Sequence, residues 1–342
     1  MVARLVPSMQ FLKNFIHSYF ELPIKTPKVV CLGGGTGLPN LLAGLKLHSN
    51  NITAIVTMCD EGGSSGRLRR ILGVPPVGDI RNCLAALAES EEIFSKLLNY
   101  RFAGNRYGKD SELGGHALGN LILAALADIT GNFNKGLTEL AQILAIQGKV
   151  LPSTEANARI WAQTSAGKKV FGEENIDLGK YNGKRTIKRL GLIPADAAGF
   201  PPAVAALETA DIICAGPGDL YTSIMPNLLI SDIVSAIKKS PARKIFIINI
   251  ANKPFETPKY LASDYLRAVG KHCGKNLFDT VIVNTNFAAK IPEKLKYTYV
   301  QVDFDKLRKE FGVKIIGGDY SSRENLLHHD SQKLAKAVIS LI

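Results

Sequence analysis

Two carboxylates, a run of Gly and Ser, and three arginines fall within thirteen consecutive residues, Met58 to Arg70 (MCDEGGSSGRLRR). Asp60 and Glu61 can hold a divalent cation, the N–H groups of Gly62, Gly63, Ser64, Ser65 and Gly66 can cradle an anion, and Arg67 can pair with a phosphate. A second reading needs no ligand: Asp60 or Ser64 caps the next helix, and Glu61 pairs with the arginines in solvent. The stretch CLGGGTGLPNLL, from Cys31, offers related chemistry. Its glycines let the main-chain N–H groups of Gly34, Gly35, Thr36, Gly37 and Leu38 approach an anion at a helix start; otherwise they serve tight strand–helix packing. It is not a strict dinucleotide fingerprint, since GxGxxG counted from Gly33 places Leu38 at the last glycine, and no Gly-Lys-Ser/Thr follows to make a P-loop. A nicotinamide enzyme would use one acid after the second strand to hold a ribose hydroxyl. Two adjacent acids beside a second anion cradle point instead to a diphosphate with Mg2+, and NAD is not expected.

Further candidates follow along the chain. In GVPPVGDIRNCLAAL, Asp79 reads as the N-cap of a helix, and Arg81 in its first turn opposes the helix dipole, which an anion there would relieve. LGGHALGN sets His116 at the start of an apolar helix with Asn120 one turn on along the same face. In GPGDLYTSIMPNLL, Gly216 and Gly218 free a turn, and Asp219, Tyr221, Thr222 and Ser223 offer polar tips. Asn249 and Asn252, then Asn284 and Asn286, extend this row with amides that can read a base or sugar. His328, His329 and Asp330 hint at a metal, but adjacent side chains diverge, so Asp330 reads better as a helix N-cap.

The elements that must position these residues show in the apolar pattern. Short runs at 28–32, 52–59, 210–216, 244–250, 279–285 and 313–319 each precede a Gly-rich or polar turn and then a helical stretch. That alternation implies parallel strands with crossover helices, a sheet that binds ligands at the carboxyl ends of its strands. Residues of roughly 80–148 read as helical, and 151–195 as a small antiparallel insert with a hairpin turning at Ser165 to Lys168. Phe11, Leu12, Phe15, Ile16, Tyr19 and Phe20 make residues 1–27 an amphipathic extension, packed on the body, on a sister chain or on a membrane surface, before one domain at 28–342.

Composition narrows the classes. The net charge of +12 is dispersed and nowhere interleaved with stacking aromatics, which argues against nucleic acid and reads first as a solvated basic surface, with a phosphate-bearing small molecule as the specific alternative. The five cysteines form no CxxC pair or Cys/His cluster, which suits a reducing compartment. Lys13, Asn14 and His17 interrupt any signal-like segment, and no apolar run approaches the roughly 20 residues of a membrane span, so a cytoplasmic protein without a transmembrane segment is expected.

Six blocks, in order, resemble the YvcK/CofD family and its YvcK-like branch, the gluconeogenesis factors: VVCLGGGTGLPNLLAGLK, NITAIVTMCDEGGSSGRLRRILGVPPVGDIRNCLAALAE, ELGGHALGNLILAAL, GKVLPSTE, GPGDLYTSIMPNLL and HHDSQKLAKAVI. The resemblance covers about residues 28–342. It implies a Rossmann-like α/β sheet with a small inserted subdomain and a nucleotide site across the strand ends. For the YvcK-like branch it implies a cytoplasmic protein that binds UDP-sugars such as UDP-N-acetylglucosamine and serves cell shape and growth on gluconeogenic carbon, with a homodimer expected. For the CofD branch it implies a 2-phospho-L-lactate transferase using a nucleotide diphosphate donor and Mg2+, with Asp60 the first catalytic candidate. Three positions depart from the family pattern: Glu61 replaces a second Asp, Asp219 stands for Ser, and His328 for Arg.

Overall fold

The computed structural model describes residues 26–89, 92–104, 113–180 and 186–341. A seven-stranded parallel sheet runs through it, built from β1 (Val29–Gly33), β2 (Ile52–Val56), β3 (Lys149–Pro152), β7 (Ile212–Ala215), β8 (Arg243–Ile247), β10 (Thr280–Asn284) and β12 (Lys314–Gly318), in the order β12-β10-β8-β7-β1-β2-β3. All six runs expected from the sequence are strands. The seventh, β3, was not anticipated: Lys-Val-Leu-Pro is four residues long, ends in proline and follows a long helical stretch. The predicted N-terminal helix lies outside the described residues.

Successive residues of β1 feed opposite faces, Val29 and Cys31 one, Val30 and Leu32 the other, and both faces are covered. On the first face lie α1 (Gly37–Leu45), α3 (Gly78–Leu87), α5 (Leu118–Ile129), α6 (Phe133–Ile143) and α13 (Ser331–Ile339), which bury Leu41, Leu84, Leu123, Leu140 and Leu334. On the second lie α8 (Pro201–Glu208), α10 (Ser231–Lys239) and α11 (Ala262–Cys273), burying Leu207, Ile233 and Tyr265. α2 (Gly63–Leu72) and α4 (Glu92–Asn99) complete the helices of the first half.

The same second face carries a three-stranded antiparallel sheet of β5 (Lys169–Phe171), β4 (Arg159–Thr164) and β6 (Ile187–Ile193). Alternation along β4 turns Ile160 and Ala162 inward and leaves Arg159 exposed. The hairpin closes at Ser165–Lys168 as expected, with Thr164 N–H donating to the Lys168 carbonyl at 2.9 Å. A short helix, α7 (Glu173–Asp177), follows β5, and the remaining short pieces are α9 (Met225–Leu228), α12 (Phe304–Lys306) and an antiparallel pair of β9 (Ala251–Asn252) and β11 (Thr298–Tyr299).

Strand order reverses at β1. The chain leaves β1 toward β2 and β3 on one side, then returns to β7 and proceeds outward on the other. The carboxyl ends of β1 and β7 therefore diverge and open a crevice. α13 closes back over α1 so tightly that a methyl group on Gly44 would sit 2.0 Å from the Ser331 carbonyl oxygen. Among the described residues no single helix is long and apolar enough to cross a membrane.

Candidate functional site

The crevice at the reversal point is a cleft of ≈ 140 Å³. One wall is Gly35, Thr36, Gly37 and Asn40 at the start of α1; the other is Pro217, Gly218, Asp219 and Ser223 after β7; Asn249, Ala251, Tyr297, Leu327, His328 and His329 close the end. Drug-sized ligands occupy roughly 300–1,000 Å³, so a sugar nucleotide seated here must continue along the rim.

The glycine loop is shaped by its surroundings. Gly35 has φ +62°, where a side chain is strained, and a methyl on Gly34 would lie 2.6 Å from Asp79 Oδ2 and 2.7 Å from Thr57 Cγ2. Gly37 serves packing, since its methyl would fall 2.4 Å from the Pro217 carbonyl oxygen, and the Leu38 side chain is wholly buried beneath Gly33. Thr36, the N-cap of α1, makes no side-chain capping bond, so the first-turn N–H groups keep their capacity to hold an anion.

Asp79 corrects an expectation. The N-cap of α3 is Val77, and Asp79 stands inside the first turn with its Oδ2 accepting from Gly35 N–H at 2.8 Å. A local capping rule loses here to a tertiary contact across 44 residues. Burial, then the charge of Asp60, pushes this carboxyl up to about 7. Glu173, at the start of α7, is pushed up to about 9 by burial and next by Asp60. A methyl on Gly62 would lie 3.4 Å from Asp60 Oδ1 and 3.6 Å from Glu173 Oε2, so the insert brings its acid to the second loop. Glu61 turns the other way and pairs with Arg159.

The second loop is tied into the fold. Asp60 accepts from Gly62 N–H at 2.9 Å, yet the N-cap of α2 is Gly62 and neither Asp60 nor Ser64 caps the helix. Ser64 Oγ meets His116 Nδ1 at 3.0 Å and accepts from Asn120 Nδ2 at 2.9 Å, while Ser65 Oγ accepts from Gly78 N–H at 3.0 Å. His116 and Asn120 do share a face, and its target is a buried hydroxyl. Burial, with Arg67 and Arg101 beside it, holds His116 below the usual imidazole range. Gly66 is a packing residue: a methyl there would fall 1.8 Å from the Glu61 carbonyl oxygen. Gly63 has φ +49°. Arg67 donates to the Gly114 carbonyl at 2.5 Å, and its buried Nε finds no partner among the described residues. Arg81 is 5% exposed, donates to Asn82 and packs its methylenes on Gly119.

The row of polar tips after β7 and β8 divides. Asn249 lines the cleft and accepts from Gly218 N–H at 3.0 Å. Gly216, at φ +89°, lets the backbone pass close to the Ile247 carbonyl oxygen. Tyr221 and Thr222 face away, with Tyr221 N–H and Thr222 Oγ1 donating to Glu256 at 3.0 and 2.8 Å. Asn252 holds Tyr260 and Tyr265, and Asn284 holds Asn286 and Tyr320. Those amides tie loops together because each is buried beside main-chain groups that need partners. Asp330 caps α13, as expected, accepting from Gln332 and Lys333 N–H.

Sequence reasoning missed Lys253. Its ammonium lies among Asp177 of the insert, Asp219 at 2.6 Å and Glu256 at 3.6 Å. These three carboxylates could together hold a metal ion, but the lysine already supplies the positive charge. Burial favours the neutral amine, yet the carboxylates outweigh it and hold Lys253 well above the usual ammonium range. Positions 177, 219, 253 and 256 share no local pattern that could have announced the group.

The 2-phospho-L-lactate transferase CofD family model matches residues 29–321. The gluconeogenesis factor of Bacillus subtilis is 42% identical over 323 residues, covering 92% of this chain and 98% of that protein. The gluconeogenesis factor of Halalkalibacterium halodurans is 41% identical over 325 residues, covering 92% and 97%. A crystal structure of a Bacillus halodurans protein superposes with TM-score 0.85 at 41% identity, over 92% of this chain and 100% of that one. Matched from its first strand to beyond its last, with a shared sheet and relatives aligned over almost their whole length, the chain belongs to the YvcK/CofD family, alongside the gluconeogenesis factors.

Proposed function

We propose that the protein binds a nucleoside diphosphate, in the form of a UDP-sugar such as UDP-N-acetylglucosamine, across the carboxyl ends of β1 and β7. The role is that of a cytoplasmic gluconeogenesis factor serving cell shape and growth on gluconeogenic carbon. The observation that carries the reading is the uncapped start of α1, facing the cleft where strand order reverses. A diphosphate there displaces the Asp79 carboxylate from Gly35 N–H, and a carboxyl raised to about 7 takes up a proton at little cost as it yields. Gly34, Gly35 and the N–H groups of Thr36, Gly37 and Leu38 take the phosphates; Gly218 and Asn249 form the facing wall.

Asp60 and Glu173 are oxygen donors that approach each other at Gly62, and burial and the Asp60 charge raise the Glu173 carboxyl to about 9, so a hard divalent cation such as Mg2+ would relieve them. Such an ion would supply positive charge beside the phosphates. Calorimetric titration with UDP-N-acetylglucosamine, in Mg2+ and again in excess chelator, tests both points. Micromolar binding that weakens in chelator is expected; equal affinity removes the metal, and no binding of any nucleoside diphosphate removes the reading.

The acid group also favours a second reading, a CofD-like transfer of a phospholactyl group from a nucleotide diphosphate donor, since phosphoryl-type transfer rests on positioning and charge neutralisation. Incubation with that donor, a deazaflavin acceptor and Mg2+ separates the two: product formation establishes the transferase, and binding without product leaves the UDP-sugar-binding factor.

A further inference from the structure

The outer face of the antiparallel insert takes no part in the cleft. Register sets Lys169, Gln163 and Arg189 in one row across β5, β4 and β6, and Phe171, Trp161 and Gly191 in the next. Ile160, Ala162, Val170, Leu190 and Leu192 alternate with them and enter the core, so both rows face outward. Phe171 is 55% exposed, and Ile193 at the end of β6 is 43% exposed.

Two properties of this face say what would cover it. The first is charge: the three strands carry no carboxylate, while Lys168, Lys169, Lys188 and Arg189 are all exposed. The second is the attitude of Trp161. A methyl on Gly191 would fall 2.5 Å from its Nε1 and Cε2 and 2.6 Å from its Cζ2, so the ring rests against the Gly191 backbone. Lys169 Nζ and the Arg189 guanidinium stand 5.2 and 5.8 Å from the ring centroid. A plane to stack on, with cations beside it, is what a single nucleic-acid strand requires. A bilayer takes aromatic side chains that project into it, whereas this one lies down on the sheet. A second copy of the face would set lysine against lysine.

We infer that the outer face of the insert binds single-stranded RNA, with bases stacking on Trp161 and Phe171 and phosphates pairing with Lys169, Lys188 and Arg189. Gln163, between the two cations of its row, donates Nε2 to the Gly167 carbonyl at 3.4 Å and keeps Oε1 for a ribose 2′-hydroxyl, the group that marks RNA. The linear order of residues conceals the face, because strand pairing rather than a run in the chain sets the aromatic and basic residues side by side. The inference is independent of the nucleotide cleft.

Trp161 is the only tryptophan in the chain, so intrinsic fluorescence reads this one ring. Titration of the full chain with a short oligouridylate is expected to quench it, with an affinity that falls steeply as salt rises and is unchanged by saturating UDP-N-acetylglucosamine. With a fluorescein-labelled strand followed by anisotropy, Trp161→Ala should weaken binding about tenfold and Trp161→Phe should restore part of that. Lys169→Glu combined with Arg189→Glu should weaken it at least as much. Absence of quenching, or displacement of the strand by UDP-N-acetylglucosamine, overturns the inference. Equal affinity for oligothymidylate overturns the assignment to RNA, and quenching by phosphatidylglycerol vesicles without strand binding gives the face to a membrane. Should Trp161→Ala not fold, the double charge reversal at two exposed positions decides alone.

Discussion

Asp79 occupies the position where a phosphate-binding loop would keep its N–H groups free, and the occupation has a thermodynamic cost. An acid whose folded pKa is raised above its unfolded value binds more protons when folded, so its contribution favours folding at low pH and fades as pH rises. For Asp79 the loss runs from about 4 to about 7, and for Glu173 it continues to about 9. Asp79→Asn should therefore melt above wild type at pH 8, with the gap narrowing toward pH 4, as differential scanning calorimetry across that range would show. Because a diphosphate must displace this carboxylate from Gly35 N–H, the same change should leave nucleotide affinity equal or higher, as calorimetry would show. Gly34→Ala acts in the opposite sense: its methyl cannot share space with Asp79 Oδ2 and Thr57 Cγ2, so it should lose at least tenfold in UDP-sugar affinity and about 1–3 kcal/mol of stability by urea titration. Arg67→Ala should weaken UDP-sugar binding at least tenfold; calorimetry with unchanged affinity would confine Arg67 to holding Gly114.

At the scale of elements, Lys253 joins three separate pieces: α7 of the insert through Asp177, the loop after β7 through Asp219, and its own loop through Glu256. Removing the lysine from this partly buried set leaves like charges facing each other. Lys253→Met should cost about 1–3 kcal/mol in urea unfolding, and adding Glu256→Gln should return part of it. Strand and helix identities were legible because burial on both faces writes continuous apolar runs, as in Thr-Val-Ile-Val-Asn of β10. What escaped was decided by tertiary neighbours. Lys-Val-Leu-Pro became β3 by pairing with β2, Asp79 left its capping role for Gly35, and Tyr221 and Thr222 turned toward a glutamate more than thirty residues away. In the candidate site, the glycine loops, Asp60 and the histidine pair at 328 and 329 stood out in the sequence, whereas Glu173 and Lys253 did not, because each arrives from a different part of the chain.

Across the whole molecule, ligand and fold are linked through mass action. A ligand at one hundred times its Kd adds about 2.7 kcal/mol to the folded state. UDP-N-acetylglucosamine at that excess should raise Tm by several degrees, and at pH 8 Mg2+ alone should also raise it by relieving Asp60 and Glu173. Thermal shift with and without chelator checks both. The way α13 returns to the first helix has one more outcome. Asn40 and His329 are 289 residues apart in sequence, and Gly44 lies against Ser331, so the end of the cleft is completed only when the last helix docks on the first. A chain clipped before α13 would keep both glycine loops but lose the helix that holds the far end of the cleft in place.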